Sequence, residues 1–284
     1  MLIPLKSDEF NKYADYAYEL TQDLTKSCFP IYKDGIKTKE DFLKTAKETF
    51  DSDNREILLF ILDGKVNGWI NYYVLSADKY ISFNSFNIQS ETPKAINEFI
   101  EYISQKYAGF TVYFGLPTDN ISAISHLKKI GAELLEESYV DIMFFKKYNI
   151  DSKIKKCVRV NMNNFSDFEG LHKIHDSEMY WNCTRLLEHL NEWNILMLYE
   201  NREAVGAIYY CIYENSMMEI FGVDFSDGTF NEDIYEILLT NALNDGKARK
   251  IKSLTYFTDC NEHLLTQKAG FECICKYVLY TKKT

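Results

Sequence analysis

The sequence predicts a chain of α/β (more narrowly α+β) class made of two tandem domains on one plan, each a mixed, mostly antiparallel sheet flanked by helices on both faces. Three observations predict it. The phrase "KKIGAE" at Lys128 to Glu133 returns as "QKAGFE" at Gln267 to Glu272. Ahead of these, "NGWINYYV" from Asn67 matches "VGAIYYCI" from Val205, and "TVYF" (Thr111 to Phe114) matches "LTYF" (Leu254 to Phe257), each followed by an Asp and an Asn. Matched pieces in one order, with Gly68 to Gly131 spaced almost as Gly206 to Gly270, argue for an internal duplication. Finally, 284 residues are about twice the commonest domain size, and 46% apolar with 15% aromatic residues suffice for two packed cores.

The elements follow in order. "MLIPLK" reads as a strand, Asp8 to Lys26 and Lys39 to Phe50 as helices, and "REILLFIL", "VNGWINYYVL" and "KYISFNSFNI" as three strands joined by short turns. Thr92 offers an N-cap with Pro93 at the first helical position, for a helix to about Tyr107. The buried strand "FTVYFGL", a helix from Asp119 ended by Gly131, and strands through Phe145 complete the first copy. Gly131 and Gly270 stand where a helix must stop, because glycine takes the left-handed conformation without a Cβ penalty. The second copy repeats the order with "KCVRV", helices from Ser166 and near Cys183 to Leu190, and strands "NILMLYE", "AVGAIYYCIY" and "MMEIFGVDF". A helix from about Asn231 to Asp245, the strand "IKSLTYF", a helix ended by Gly270 and the strand "CKYVLYTK" complete it. Domains are expected at 1–148 and 156–284, with 149–155 as a polar linker.

Charge and cysteine usage narrow the class. A net charge of −10, shared evenly by the halves, disfavours nucleic-acid backbone and is compatible with cationic amines. No apolar run approaches the roughly 18 residues of a membrane span, and the start lacks a basic segment followed by an apolar one, so a cytoplasmic protein is expected. Seven cysteines without a paired framework read as free thiols. His172 and His175, with Asp176 and Cys183 nearby, have a spacing open to zinc, but without a second ligand pair they read as helix-surface histidines and no metal is expected. Cys273 and Cys275 alternate on a strand and read as small core residues.

The element order, together with "NISAISHLKKIGAE", resembles the GNAT family of acetyl-CoA-dependent N-acyltransferases, in tandem and over nearly the whole chain. Asn120, Ala123, Lys129 and Gly131 match the family's Asn-x-x-Ala helix and Lys-x-Gly turn, and Lys268, Gly270, Phe271 and Glu272 keep the turn in the second copy. The resemblance implies acetyl-CoA as co-substrate, a small-molecule amine or peptide N-terminus as acceptor, and a coenzyme cleft between the fourth and fifth strands of a copy. In the second copy this assigns Val223, Asp224 and Phe225 to backbone contacts and Gly228, Thr229, Phe230 and Asn231 to the pyrophosphate end, with Asn261 also beside the coenzyme. The family's Gln/Arg-x-x-Gly-x-Gly/Ala loop is missing from both copies, and Asp224, Asp227, Glu232 and Asp233 would repel an anion there.

Acyl transfer to an amine needs a base for the ammonium proton and an acid for the departing thiolate. Glu219, in the context Glu-Ile-aromatic, matches the base of part of the family, whereas "KYISFNSFNI" in the first copy has no carboxylate. The family's acidic Tyr is replaced by Leu127 and Thr266, leaving Tyr256, Cys260 or water for that role. The second copy is therefore the expected catalytic one and the first the noncatalytic one. The alternative is a noncatalytic binding or structural protein that kept the fold after losing the pyrophosphate loop.

Overall fold

The computed structural model describes residues 1–32, 37–173, 180–214 and 216–284. The chain forms two compact units, Met1–Ser138 with Cys275–Thr284, and Tyr139–Ile274. In the first, β1 (Leu2–Pro4), β2 (Arg55–Leu62), β3 (Lys65–Leu75), β4 (Tyr80–Ile88) and β5 (Thr111–Pro117) lie side by side in that order. Its helices are α1 (Phe10–Thr21), α2 (Lys39–Glu48), α3 (Thr92–Lys106) and α4 (Ile121–Lys129). The second unit begins within β6 (Glu133–Phe144) and continues with β7 (Val158–Arg159), α5 (Phe165–His172), α6 (Cys183–Glu188), β8 (Trp193–Glu200) and β9 (Glu203–Ile212). Then come β10 (Met217–Phe225), α7 (Glu232–Ala248), β11 (Ser253–Thr258), α8 (Cys260–Lys268) and β12 (Glu272–Lys283).

The two units share one topology. Both are antiparallel meanders with one parallel step, β4 on β5 in the first and β10 on β11 in the second. Each sheet buries both faces. In the first unit one core sets Phe83, Phe86 and Phe114 against Phe99 of α3, and the other sets Trp69 against Phe10 and Phe42 of α1 and α2. In the second, Ile220 and Tyr256 pack with Leu238 and Leu239 of α7, while Trp193 and Tyr209 pack with Phe168 of α5. Gly131 and Gly270 close α4 and α8 at φ +71° and +95°, as the repeated phrase requires.

The closing strands are exchanged. β6, which follows the Gly131 turn, pairs antiparallel with β11 of the second unit, Val140 opposite Phe257. β12, which follows the Gly270 turn, pairs with β5 of the first, Tyr280 opposite Phe114. Met143 of β6 accordingly joins the second core, and Val278 and Tyr280 of β12 join the first. The partition therefore differs from breaks at 148 and 156, because alternating apolar residues specify that a strand needs a sheet edge but not which edge. The segment expected as a linker is held by the second unit: Asn244 of α7 accepts the Asp151 N–H at 3.0 Å and donates to the Asp151 carbonyl at 2.8 Å.

Three local expectations also shift. The helix expected to run to Lys26 stops at Thr21, and the residues after Thr25 turn along β4. The cap of α3 is Glu91 at φ 56°, one residue before Thr92. None of the seven cysteines is in a disulfide; Cys275 is buried but Cys273 is exposed, so they do not form the expected pair of small core residues. Among the described residues no helix is long and apolar enough to cross a membrane.

Candidate active site

The parallel step of the second unit ends in a fork. β10 and β11 are in register from Met217 opposite Ser253 to Ile220 opposite Tyr256, and their mutual pairing stops there. Just past that point β10 bulges between Ile220 and Gly222 against Tyr209 and Tyr210 of β9. Gly222 makes the bulge possible: a Cβ there would lie 2.2 Å from the Tyr209 hydroxyl. A bulge adds twist and re-aims the residues around it, so the fork is fixed by the chain itself.

Two groups of acid–base character stand at the last paired steps. Met218 and Ile220 belong to the core under α7, so Glu219 between them points to the opposite face, where its register partner Cys211 packs near Trp193. Glu219 is half-buried and accepts a hydrogen bond from the Tyr213 hydroxyl at 2.8 Å. Tyr256 lies on the α7 and α8 face, fully buried, and its hydroxyl donates to Glu262 in the first turn of α8. Glu262 is placed by a capping box: Asp259 accepts from the Asn261 and Glu262 N–H groups at 2.7 and 2.8 Å, and Glu262 accepts from Asp259 N–H at 3.1 Å. Burial pushes the Glu262 carboxyl up to about 7, against the opposing pull of the Tyr256 and Asp259 hydrogen bonds. Burial first, and then the Glu262 charge, hold Tyr256 well above its ordinary value. Tyr235 of α7, fully buried, adjoins this pair, and burial first and then the Glu262 charge raise its hydroxyl above the ordinary value. Sequence reading singled out Tyr256 but missed Glu262; the signal available was a carboxylate eight residues before Gly270, where the first copy has the small Ala123 eight residues before Gly131.

Beyond the fork the assigned residues divide. Val223 and Phe225 continue β10 in register with Ile208 and Gly206, and Phe225 packs on Phe230 at 5.6 Å between ring centroids. Asp224 turns inward instead of facing an anion: its carboxylate lies 2.8 Å from Nδ1 of the fully buried His172. Nε2 of His172 lies 2.7 Å from the Trp181 carbonyl. Both ring nitrogens are therefore engaged by oxygen atoms of the protein. His172 is thus not on the helix surface as expected, and Cys183 is also buried, while His175 and Asp176 lie outside the described residues. Gly228 sits at φ +69° with its N–H on the Phe225 carbonyl. Thr229 N–H binds Asp227, Asn231 caps α7 by accepting from Ile234 N–H at 3.1 Å, and Asn261 is exposed. Of the remaining carboxylates, Glu232 is paired with Lys268 at 3.0 Å.

A third cluster ties α8 to β6. The fully buried Asp141 accepts from Thr258 at 2.8 Å, Thr266 at 2.6 Å, His263 at 2.9 Å and Gln267 at 3.2 Å. His263 also stacks on Tyr139 at 3.9 Å. Thr266, which stands at the family's acid position, is therefore occupied by this network. Ligand atoms of Asp141, His263 and Cys273 lie within 4.8 Å of one another, but the carboxylate is already saturated by protein donors.

No family model matches the chain, and no curated protein matches it. Its fold is shared with solved structures. A GCN5-related N-acetyltransferase from Sphaerobacter thermophilus is 11% identical with a TM-score of 0.67, over 99% of this chain and 95% of that one. A glucosamine N-acetyltransferase region of a fungal multi-domain beta-N-acetylglucosaminidase is 11% identical with a TM-score of 0.64, over 99% of this chain and 38% of that one. A tandem GNAT protein from the clavulanic acid biosynthesis pathway is 8% identical with a TM-score of 0.58, over 99% of this chain and 98% of that one. The duplicated plan, with one parallel step in each unit, and these likenesses over almost the full length identify the chain as one with the tandem GNAT fold.

Proposed function

We propose that the protein is an N-acetyltransferase that carries an acyl group from acetyl-CoA to a primary amine at the β10–β11 fork of the second unit. The observation that carries this reading is the placement of Glu219 and of the Tyr256–Glu262 pair on opposite faces of the sheet at the last register steps before the strands part. The backbone beyond the fork fits an extended coenzyme arm, with Val223 and Phe225 on β10 and with Gly228 presenting no Cβ. The first turn of α7 fits less well, because Glu232 and Asp233 stand where a helix start otherwise attracts an anion. Acetyl-CoA supplies the activated acyl group as a thioester.

The chain's own residues handle the protons. A primary amine is mostly protonated at neutral pH, and Glu219 takes the proton so that the neutral nitrogen can attack. On the other face Tyr256 holds a proton for the leaving sulfur and is resupplied by Glu262. A carboxyl near 7 is a suitable reservoir, since an ordinary thiol titrates at about 8.5 and the transfer runs downhill. The acceptor class is a small-molecule amine or a peptide N-terminus. Release of free thiol from acetyl-CoA, followed with a panel of primary amines, tests the reading: amine-dependent release is expected. The charge at the α7 start favours a second reading, a noncatalytic binding protein, and absence of release with every amine would make it the better one.

A further inference from the structure

The first unit has the same fork. β4 and β5 pair only from Tyr80 opposite Thr111 to Ile81 opposite Val112, and then diverge. We infer that this fork is closed to coenzyme by the protein's own chain, residues 26–29 acting as a built-in plug between β4 and β5, so that one chain takes one acyl-CoA and not two. The inference shares with the proposed function the premise that a parted strand pair is where the coenzyme docks.

Both edges of the opening are engaged. On the β4 side the Ile88 N–H donates to the Lys26 carbonyl at 2.9 Å and the Phe86 N–H to the Cys28 sulfur at 2.9 Å. On the β5 side the Phe29 N–H donates to the Gly115 carbonyl at 3.0 Å. Asn120, itself buried, clamps the segment: its amide donates to the Ser27 carbonyl at 3.0 Å while its oxygen caps α4. Ser27 and Cys28 are each 2% exposed, and Cys28 belongs to the core with Phe86 and Phe114. Phe29 packs edge-on against Tyr277 of β12 at 4.9 Å. Burial pushes the Cys28 thiol up to about 12, so the group filling the fork stays uncharged.

A ligand entering here would have to replace bonds on both edges and expose Cys28. Extracting a buried side chain of this kind and leaving the freed N–H groups dry are both unfavourable. The residue at the matching cap of the second unit is Asp259, whose side chain has no donor and accepts from the Asn261 and Glu262 N–H groups. The clamp made by Asn120 is therefore specific to the first unit. It also explains the early end of α1, since a helix continued to Lys26 could not deliver residues 26–29 to the fork.

Amide hydrogen exchange on the full chain, with and without acetyl-CoA, tests this directly. The Phe29, Phe86 and Ile88 amides are expected to be protected in the free protein and to exchange at unchanged rates when acetyl-CoA is added. Fast exchange at these amides, or protection that changes with acetyl-CoA, would overturn the inference. Calorimetric titration with acetyl-CoA should give a stoichiometry of one; a value of two would overturn it, and no binding at all would sink the proposed function while leaving the first fork closed. In Asn120→Asp, exchange at Phe86 and Ile88 should quicken at least ~10-fold relative to amides in β2, and an equal rate would remove Asn120 from the clamp.

Discussion

Glu262 gives the most quantitative prediction. Its carboxyl is raised from an ordinary 4.5 to about 7, chiefly by burial. As pH rises through this window the unfolded chain gives up its proton first, so the unfolded state binds fewer protons than the native state and stability falls. The contribution is fully present below about 4.5 and is lost as pH passes through about 7. A shift of this size corresponds to roughly 3 kcal/mol as an upper bound. Glu262→Gln keeps the shape and still accepts from Tyr256, but it cannot ionise. Urea denaturation of both proteins between pH 4.5 and 8.5 isolates the term, because other titrating groups cancel in the difference. The variant should gain on the wild type as pH rises, by up to about 3 kcal/mol at the alkaline end. A difference that stays flat across the range would refute the buried placement of this carboxylate and with it the proton reservoir.

Three further outcomes follow from the packing. Gly222→Ala sets a Cβ against the buried Tyr209 hydroxyl and should cost about 1–3 kcal/mol, seen as a lower thermal midpoint; an unchanged midpoint would mean the bulge is not rigid. Asp141→Asn weakens an acceptor that serves four side chains and should lower stability by about 2–4 kcal/mol in denaturant, whereas a neutral effect would mean the network does not bind α8 to β6. Cutting the chain between 148 and 149 removes β12 from the first unit, so fragment 1–148 should lack a cooperative melt; a two-state melt like that of the full chain would contradict the strand exchange.

Much of the fold was legible because local chemistry decides it. Gly131 and Gly270 end helices wherever the chain is placed, and the alternating runs around Trp69 and Tyr209 need a two-faced sheet. What was not legible depends on contacts distant in sequence. Nothing in β6 or β12 alone names the sheet that receives it. Lys26 to Phe29 carry no structural signal of their own; Phe86, Ile88, Gly115 and Asn120 hold them in place. Asp224 read as a strand carboxylate that would repel an anion, because nothing near it in sequence announces its partner His172, and Glu262 was not singled out, because its burial against Tyr256 depends on how α8 packs on β11. Tyr256 and Glu219 were named from local context, and the fork relates them to one another.

The central claim is that Glu219 supplies the base for acyl transfer in the second unit. The most direct measurement compares wild type and Glu219→Gln in acetyl-CoA-dependent acylation of a primary amine, at pH 7 and again near the amine's own titration range. The account predicts a loss of roughly 10²-fold to 10⁴-fold at pH 7 with nearly unchanged coenzyme affinity, shrinking at alkaline pH as the substrate supplies its own neutral amine. Full activity of the variant at pH 7, or a loss equally large at every pH, would contradict it.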